Sequence, residues 1–100
     1  MKTSIQEIDG KYIASLCGEF DTAAAADVEN ALQPLLQSGG KDIIIDCAGL
    51  EYIASSGLRL LLGILKQAKA GGGSVTLRSP NEVISDVLQL TGFDKLFVIE

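Results

Sequence analysis

Histidine and tryptophan are absent from the chain, and the five aromatic residues are two tyrosines and three phenylalanines. Without histidine there is no Ser-His-Asp triad, no Cys-His dyad and no His-containing zinc site. Cysteine is scarce too: Cys17 and Cys47 lie in apolar or strand-like stretches, not in a CxxC or secreted-framework spacing. Both are read as reduced, buried small hydrophobes of a cytosolic protein. Basic residues are the minority, 8 against 13 acidic, and the resulting net charge of -5 opposes attraction to nucleic acid or to an anionic membrane. A protein partner is expected instead. The longest apolar stretch, Leu60-Leu61-Leu62-Gly63-Ile64-Leu65, falls far short of the ~20 residues that span a bilayer. The opening Met1-Lys2-Thr3-Ser4-Ile5-Gln6-Glu7 lacks the apolar core of a signal peptide. A soluble cytoplasmic domain without membrane insertion is expected.

What the chain does have is 47% apolar residues in a length of 100, enough for the core of one domain spanning residues 1–100. No repeat or low-complexity tract interrupts it. Ser4 to Glu7 and Tyr12 to Cys17 alternate around Asp9-Gly10, the pattern of a hairpin with a two-residue turn. Ala24, Val28, Ala31, Leu32, Leu35 and Leu36 line one face of a helix that Asp21 or Thr22 would cap. Pro34 falls inside that helix and predicts a kink or a short second segment, and Gly39-Gly40 end it. Ile43-Ile44-Ile45, apolar on both faces, predicts a central strand covered on both sides and closed by Asp46. Leu58, Leu61, Leu62 and Leu65 form the stripe of a helix running from Ser55-Ser56 to Gly71-Gly72-Gly73. Val75 and Leu77 mark a strand. Val83, Ile84, Val87 and Leu88 mark a helix between Ser79-Pro80 and Gly92, and Leu96 to Ile99 a short last strand. The order ββαβαβα with a terminal β segment predicts an α/β fold: a small open mixed sheet, mostly parallel, with an antiparallel N-terminal hairpin strand and packed helices.

Sites in open α/β sheets collect where strands end and helices begin. Asp21, Asp46 and Ser55-Ser56 are expected along one such edge. In Ser55-Ser56-Gly57 one serine oxygen is expected to cap the helix, and the other can serve as a phosphoacceptor at the positive helix end. Glu19, Asp21, Asp27 and Glu29 gather near the start of the first helix, where the dipole favours carboxylates. They lack any metal-loop spacing, so no metal is expected. Neither glycine run has the GxxxxGK[ST] spacing of a phosphate loop, and both read as helix stops. No cofactor is expected. Lys66 and Lys69 read as a solvated face.

Several segments together resemble the STAS domain, and within it the stand-alone bacterial anti-sigma factor antagonists. Gly18-Glu19-Phe20-Asp21 resembles that family's GELD-type segment, Ile43 to Asp46 its central strand, and Leu50-Glu51-Tyr52-Ile53-Ala54-Ser55-Ser56-Gly57-Leu58 its signature stretch ending D-S-S-G-L. Gly72 to Leu77 and Val87 to Phe93 continue in register. The resemblance implies a binding module and kinase substrate, not an enzyme. Unphosphorylated, such a protein binds an anti-sigma factor that is also a serine kinase, a histidine-kinase-like ATPase, and so frees a sigma factor for transcription. Phosphorylation of the serine before the signature glycine, Ser56 by that reading, weakens the complex, and a serine phosphatase reverses it. Asp21, Glu19, Ser55, Ser56, Gly57 and Arg59 are the implied partner-binding residues, with Arg59, Glu51 and Asp27 setting specificity.

The chain departs from the family at Ala54, where the signature has an acid. That departure keeps a second expectation open: an unphosphorylated STAS scaffold subunit of an ABC-type lipid transporter. A nucleotide-binding enzyme is a third class, but there is no Walker loop, His base or metal spacing to support it. A monomer is expected, with Phe93 and Phe97 the residues available for a dimer contact.

Overall fold

The chain first turns back at Asp9 and Gly10, whose φ angles of 52° and 78° give the left-handed pair that a tight two-residue hairpin requires. In the computed structural model, which describes residues 1–100, this turn joins β1 (Lys2–Ile8) to β2 (Lys11–Phe20). The chain continues through α1 (Ala25–Ala31), α2 (Gln33–Leu36), β3 (Ile43–Ile53) and α3 (Ser55–Ala70). It ends with β4 (Val75–Arg78), α4 (Glu82–Thr91), a 3-10 turn (Phe93–Lys95) and β5 (Val98–Ile99). Pro34 acts as expected: the helix stops at Ala31 and restarts at Gln33, with the proline in the first turn of α2, where no N–H is needed. Asn81 caps α4 by accepting the Ile84 N–H at 2.9 Å, and left-handed Gly92 ends that helix.

The sheet order is β1-β2-β3-β4-β5, antiparallel between β1 and β2 and parallel elsewhere. Because spatial order follows chain order, every parallel crossover steps the same way. Right-handed connections then place α1, α2, α3 and α4 on one face. Ala14, Leu16, Phe20, Ile45 and Leu77 from the strands meet Leu32, Leu61, Ile64, Ile84 and Leu88 from the helices in a single core.

The opposite face has no helix over it, which corrects the expectation of a strand covered on both sides. Ile43 and Ile45 are buried, while Ile44 is only half-buried, in a row with Ile13, Thr76 and exposed Val98. Cys17, expected inside, is exposed at the end of that face; Cys47 is buried. The rings of Phe93 and Phe97 pack 5.8 Å apart, with Phe97 in the core and Phe93 half-buried against it.

β3 also runs past its expected end. Asp46 lies within the strand, opposite Ser15 on one side and Arg78 on the other, and the pairing with β2 continues to Ile53 through two irregularities in register. β4 stops at Arg78, so Cys47 to Ile53 pair on the β2 side alone. This overhang carries the end of β3 well beyond β4 and towards α3.

Candidate functional site

The paired ends of β2 and β3 build the site. Phe20 stands opposite Ile53, and the Ala54 N–H donates to the Phe20 carbonyl at 2.8 Å, so Asp21 and Ser55 leave the sheet side by side. The Asp21 carboxylate accepts the Ala24 N–H at 2.9 Å. That bond belongs to the turn before α1, whose cap position is Ala24 with no side-chain oxygen, so neither Asp21 nor Thr22 caps the helix as expected.

Ser55 and Ser56 do not cap α3 either. The extended cap residue is Ala54, which has no oxygen to offer, and the serines are the first two residues of the helix. Leu58 is the first whose N–H reaches a carbonyl one turn back, that of Ala54, at 3.1 Å. The N–H groups of Ser55, Ser56 and Gly57 therefore form the electropositive start of a 16-residue helix.

About 100° of rotation per residue separates the two serines. Ser55 is exposed, whereas the Ser56 Oγ is fully enclosed and has no hydrogen-bond partner. Gly57 fixes this orientation. A β-carbon there would lie 2.8 Å from Ile53 Cγ1 and 3.1 Å from the Phe20 ring, so only glycine lets α3 press onto the ends of both strands.

Arg59 lies one turn into α3 and is exposed. It borders a groove of about 440 Å³ between α1 and α3, with Ser56 and Gly63 on its own wall and Thr22, Ala26 and Glu29 opposite. Arg59 makes no ion pair; the two in the protein are Lys41–Glu7 and Arg78–Asp46. Glu19 is exposed near the end of β2, paired in register with exposed Tyr52. Glu51, Asp27 and Glu29 are exposed too, so the edge is acidic with Arg59 as its cation.

Asp46 is the one expected edge residue that the structure places elsewhere. Its carboxylate accepts the Ala48 N–H at 3.0 Å and pairs with Arg78 at 3.2 Å, well before the end of β3. The Ala48 N–H, joined by the Arg78 charge, holds its carboxyl below the usual range against the opposing effect of burial. Tyr52 is the exposed aromatic that sequence patterning missed. The irregular register of β3 breaks the alternation that would have assigned it to the open face.

No helix is long and apolar enough to cross a membrane. The sequence profile of the STAS domain matches residues 2–100. The chain is 31% identical over 99 residues to BtrV of Bordetella bronchiseptica, covering 99% of this chain and 85% of that protein. It is 29% identical over 98 residues to the anti-sigma-B factor antagonist of Staphylococcus epidermidis, covering 96% of this chain and 91% of the relative. The crystal structure of an anti-sigma factor antagonist from Mycobacterium paratuberculosis superposes with a TM-score of 0.82 at 27% identity, covering 98% of this chain and 83% of that one.

Proposed function

From the premise that this chain belongs to the STAS domain family, we propose that it is an anti-sigma factor antagonist of the bacterial cytoplasm. In this reading it is a binding module and not an enzyme. Unphosphorylated, it holds an anti-sigma factor that is also a serine kinase and so releases a sigma factor. Phosphorylation at the start of α3 ends the complex, and a serine phosphatase renews it. The names of its relatives support the antagonist role. The observation that carries the switch is the serine pair opening α3 beside Asp21, at the positive end of the helix.

The exposed hydroxyl belongs to Ser55. The Ser56 Oγ is turned inward, but the residue is half-exposed and lines the groove between α1 and α3, so rotation about its one side-chain bond turns the hydroxyl to the groove and to an incoming γ-phosphorus. We place the acceptor at Ser56, the serine directly before Gly57, and give the exposed Ser55 a part in the docking edge. Asp21, Glu19, Gly57 and Arg59 make up the surrounding docking edge.

A phosphoryl group adds about −1.5 to −2 charges beside Asp21 on a protein of net charge -5. Across a docked surface this means like-charge repulsion and desolvation. The 1–3 kcal/mol usual for such coupling weakens binding about 5- to 150-fold. Ala54 leaves the serine pair without a carboxylate on the residue before it, so the kinase recognises Glu19 at the end of β2 and Asp21 just after it instead.

Treating the protein with ATP and the purified anti-sigma factor serine kinase of the same organism, then mapping phosphate by mass spectrometry, tests the proposal. Phosphate is expected on Ser56, lost in Ser56→Ala and retained in Ser55→Ala. Phosphate on Ser55 alone would overturn the assignment. An unmodified protein that co-purifies with a transporter ATPase whatever the charge at Ser56 would establish the scaffold subunit instead.

A further inference from the structure

Near the start of β2 the protein holds a cation of its own between a carboxylate and an aromatic ring. Glu7 of β1 and Tyr12 of β2 stand opposite each other in register. Lys41, from the loop before β3, pairs with the Glu7 carboxylate and sets its Nζ 5.1 Å from the centre of the Tyr12 ring. Register partners project side by side from one face of a sheet, so the glutamate supplies the charge and the tyrosine the electron-rich face that attracts a cation. The same two residue types meet again near the end of β2, where Glu19 stands opposite Tyr52 of β3. Phe20 and Ile53, next in register, are buried in the core, so Glu19 and Tyr52 project from the other face of the sheet, the one no helix covers.

No base of this chain serves the second pair. Glu19 and Tyr52 are both exposed, Tyr52 by 49%, and neither takes part in an ion pair or a cation–π contact. No lysine or arginine occurs from Tyr12 to Gly40. Arg59 lies on the helix side of the sheet, bordering the groove between α1 and α3, and Lys2, opposite Cys17 on the open face, makes no ion pair. Resting on the reading of this edge as the docking surface for an anti-sigma factor, we propose that Glu19 and Tyr52 together receive a basic side chain of that partner. The side chain lies over the tyrosine ring and pairs with the carboxylate, as Lys41 does within the chain. An arginine fits best, because its flat guanidinium stacks on the ring while its fork of donors meets the carboxylate.

Charge complementarity selects this occupant. Asp21 and Glu51 flank the pair with further negative charge, so an acidic group is repelled, and an aliphatic one would cover the ring but leave Glu19 unpaired. Tyrosine suits the role because it offers a large contact area with only two side-chain torsions to fix. The contact carries the docking surface from the start of α3 over the end of the sheet and onto its open face.

Titration calorimetry tests it, with the purified anti-sigma factor of the same organism against the parent, Tyr52→Phe, Tyr52→Leu, Glu19→Gln and the double variant carrying Glu19→Gln and Tyr52→Leu. Both side chains are exposed, so none of these changes touches the core. Tyr52→Phe keeps the ring and should bind within about twofold of the parent. Tyr52→Leu keeps apolar area but loses the ring face, and should bind about 3- to 30-fold more weakly. Glu19→Gln should weaken binding too, and the double variant should lose less than the product of the two single losses, because both residues hold one group. Parent-like affinity in Tyr52→Leu, or single losses that simply multiply, would overturn the proposal and leave the docking surface standing. A parent protein that does not bind the anti-sigma factor at all would defeat the functional reading, and this pairing with it.

Discussion

Two glycines in one helix should respond to alanine with opposite signs. Both Gly57 and Gly63 lie in α3, where replacing glycine by alanine is worth up to about 1 kcal/mol from backbone propensity alone. At Gly63 the new β-carbon meets only Leu36 Cδ2 at 3.8 Å, an ordinary contact. Gly63→Ala should therefore stabilise by about 0.5–1 kcal/mol. At Gly57 it would lie 2.8 Å from Ile53 Cγ1 and 3.1 Å from the Phe20 ring, and those side chains are 5% and 0% exposed. Neither can yield without disturbing the core, and overpacking of that kind costs about 1–3 kcal/mol. The clash outweighs the propensity gain, leaving Gly57→Ala less stable by about 1 kcal/mol. Urea unfolding followed by circular dichroism reads both: the midpoint should rise for one variant and fall for the other, with the slope unchanged. In a domain of this size 1 kcal/mol corresponds to about 4–8 °C in Tm. If both variants gained the same stability, the close seating of α3 on Phe20 and Ile53 would be refuted, and with it the fixed orientation of the two serines.

Asn81 holds α4 to the β3 overhang, accepting the Ile84 N–H and donating from Nδ2 to the Leu50 carbonyl at 2.9 Å. Asn81→Ala should cost about 1–2 kcal/mol in urea unfolding, and Asn81→Asp, which keeps the cap but not the donor, less. Burial, aided by the charge of Asp46, pushes the Cys47 thiol up to about 12 from an ordinary 9.0. Above pH 9 the unfolded chain therefore loses this proton first, and stability falls as pH rises through that window. Between pH 9 and 10.5 the parent should lose about 2 kcal/mol more than Cys47→Ala, at roughly 1.4 kcal/mol per pH unit; parallel curves would contradict the burial. A thiol reagent at neutral pH should find one reactive group in the native protein, Cys17, and two after denaturation, whereas rapid modification of both in the native state would count against the packing around Cys47.

Local signals carried much of the fold. Asp9-Gly10, Pro34, Gly72 and Gly92 each act where backbone geometry alone decides the outcome, and the turn, helix break and helix ends fall where those residues predict. Ile43-Ile44-Ile45 misled because a run of β-branched residues looks alike whether one face is covered or two. The deciding fact is that spatial strand order follows chain order, which sends every helix to one side. The β3 overhang was illegible for a related reason: its alternation is broken by shifts against β2 that exist only once the strands pair. At the site, the motif located Ser55-Ser56-Gly57 but could not orient it. Which serine faces solvent depends on how Gly57 seats α3 against Phe20 and Ile53, a contact between segments far apart in the chain. Cys17 looked like core for want of the same information, since its strand has a covered and an open face.

The central claim is that the exposed start of α3 beside Asp21 docks an anti-sigma factor and that charge on Ser56 ends the docking. Titration calorimetry of the purified anti-sigma factor of the same organism against parent protein and protein carrying phosphoserine at position 56 tests it most directly. The account predicts tight binding by the parent and a loss of about 5- to 150-fold on phosphorylation. Equal affinity for the two forms would contradict it.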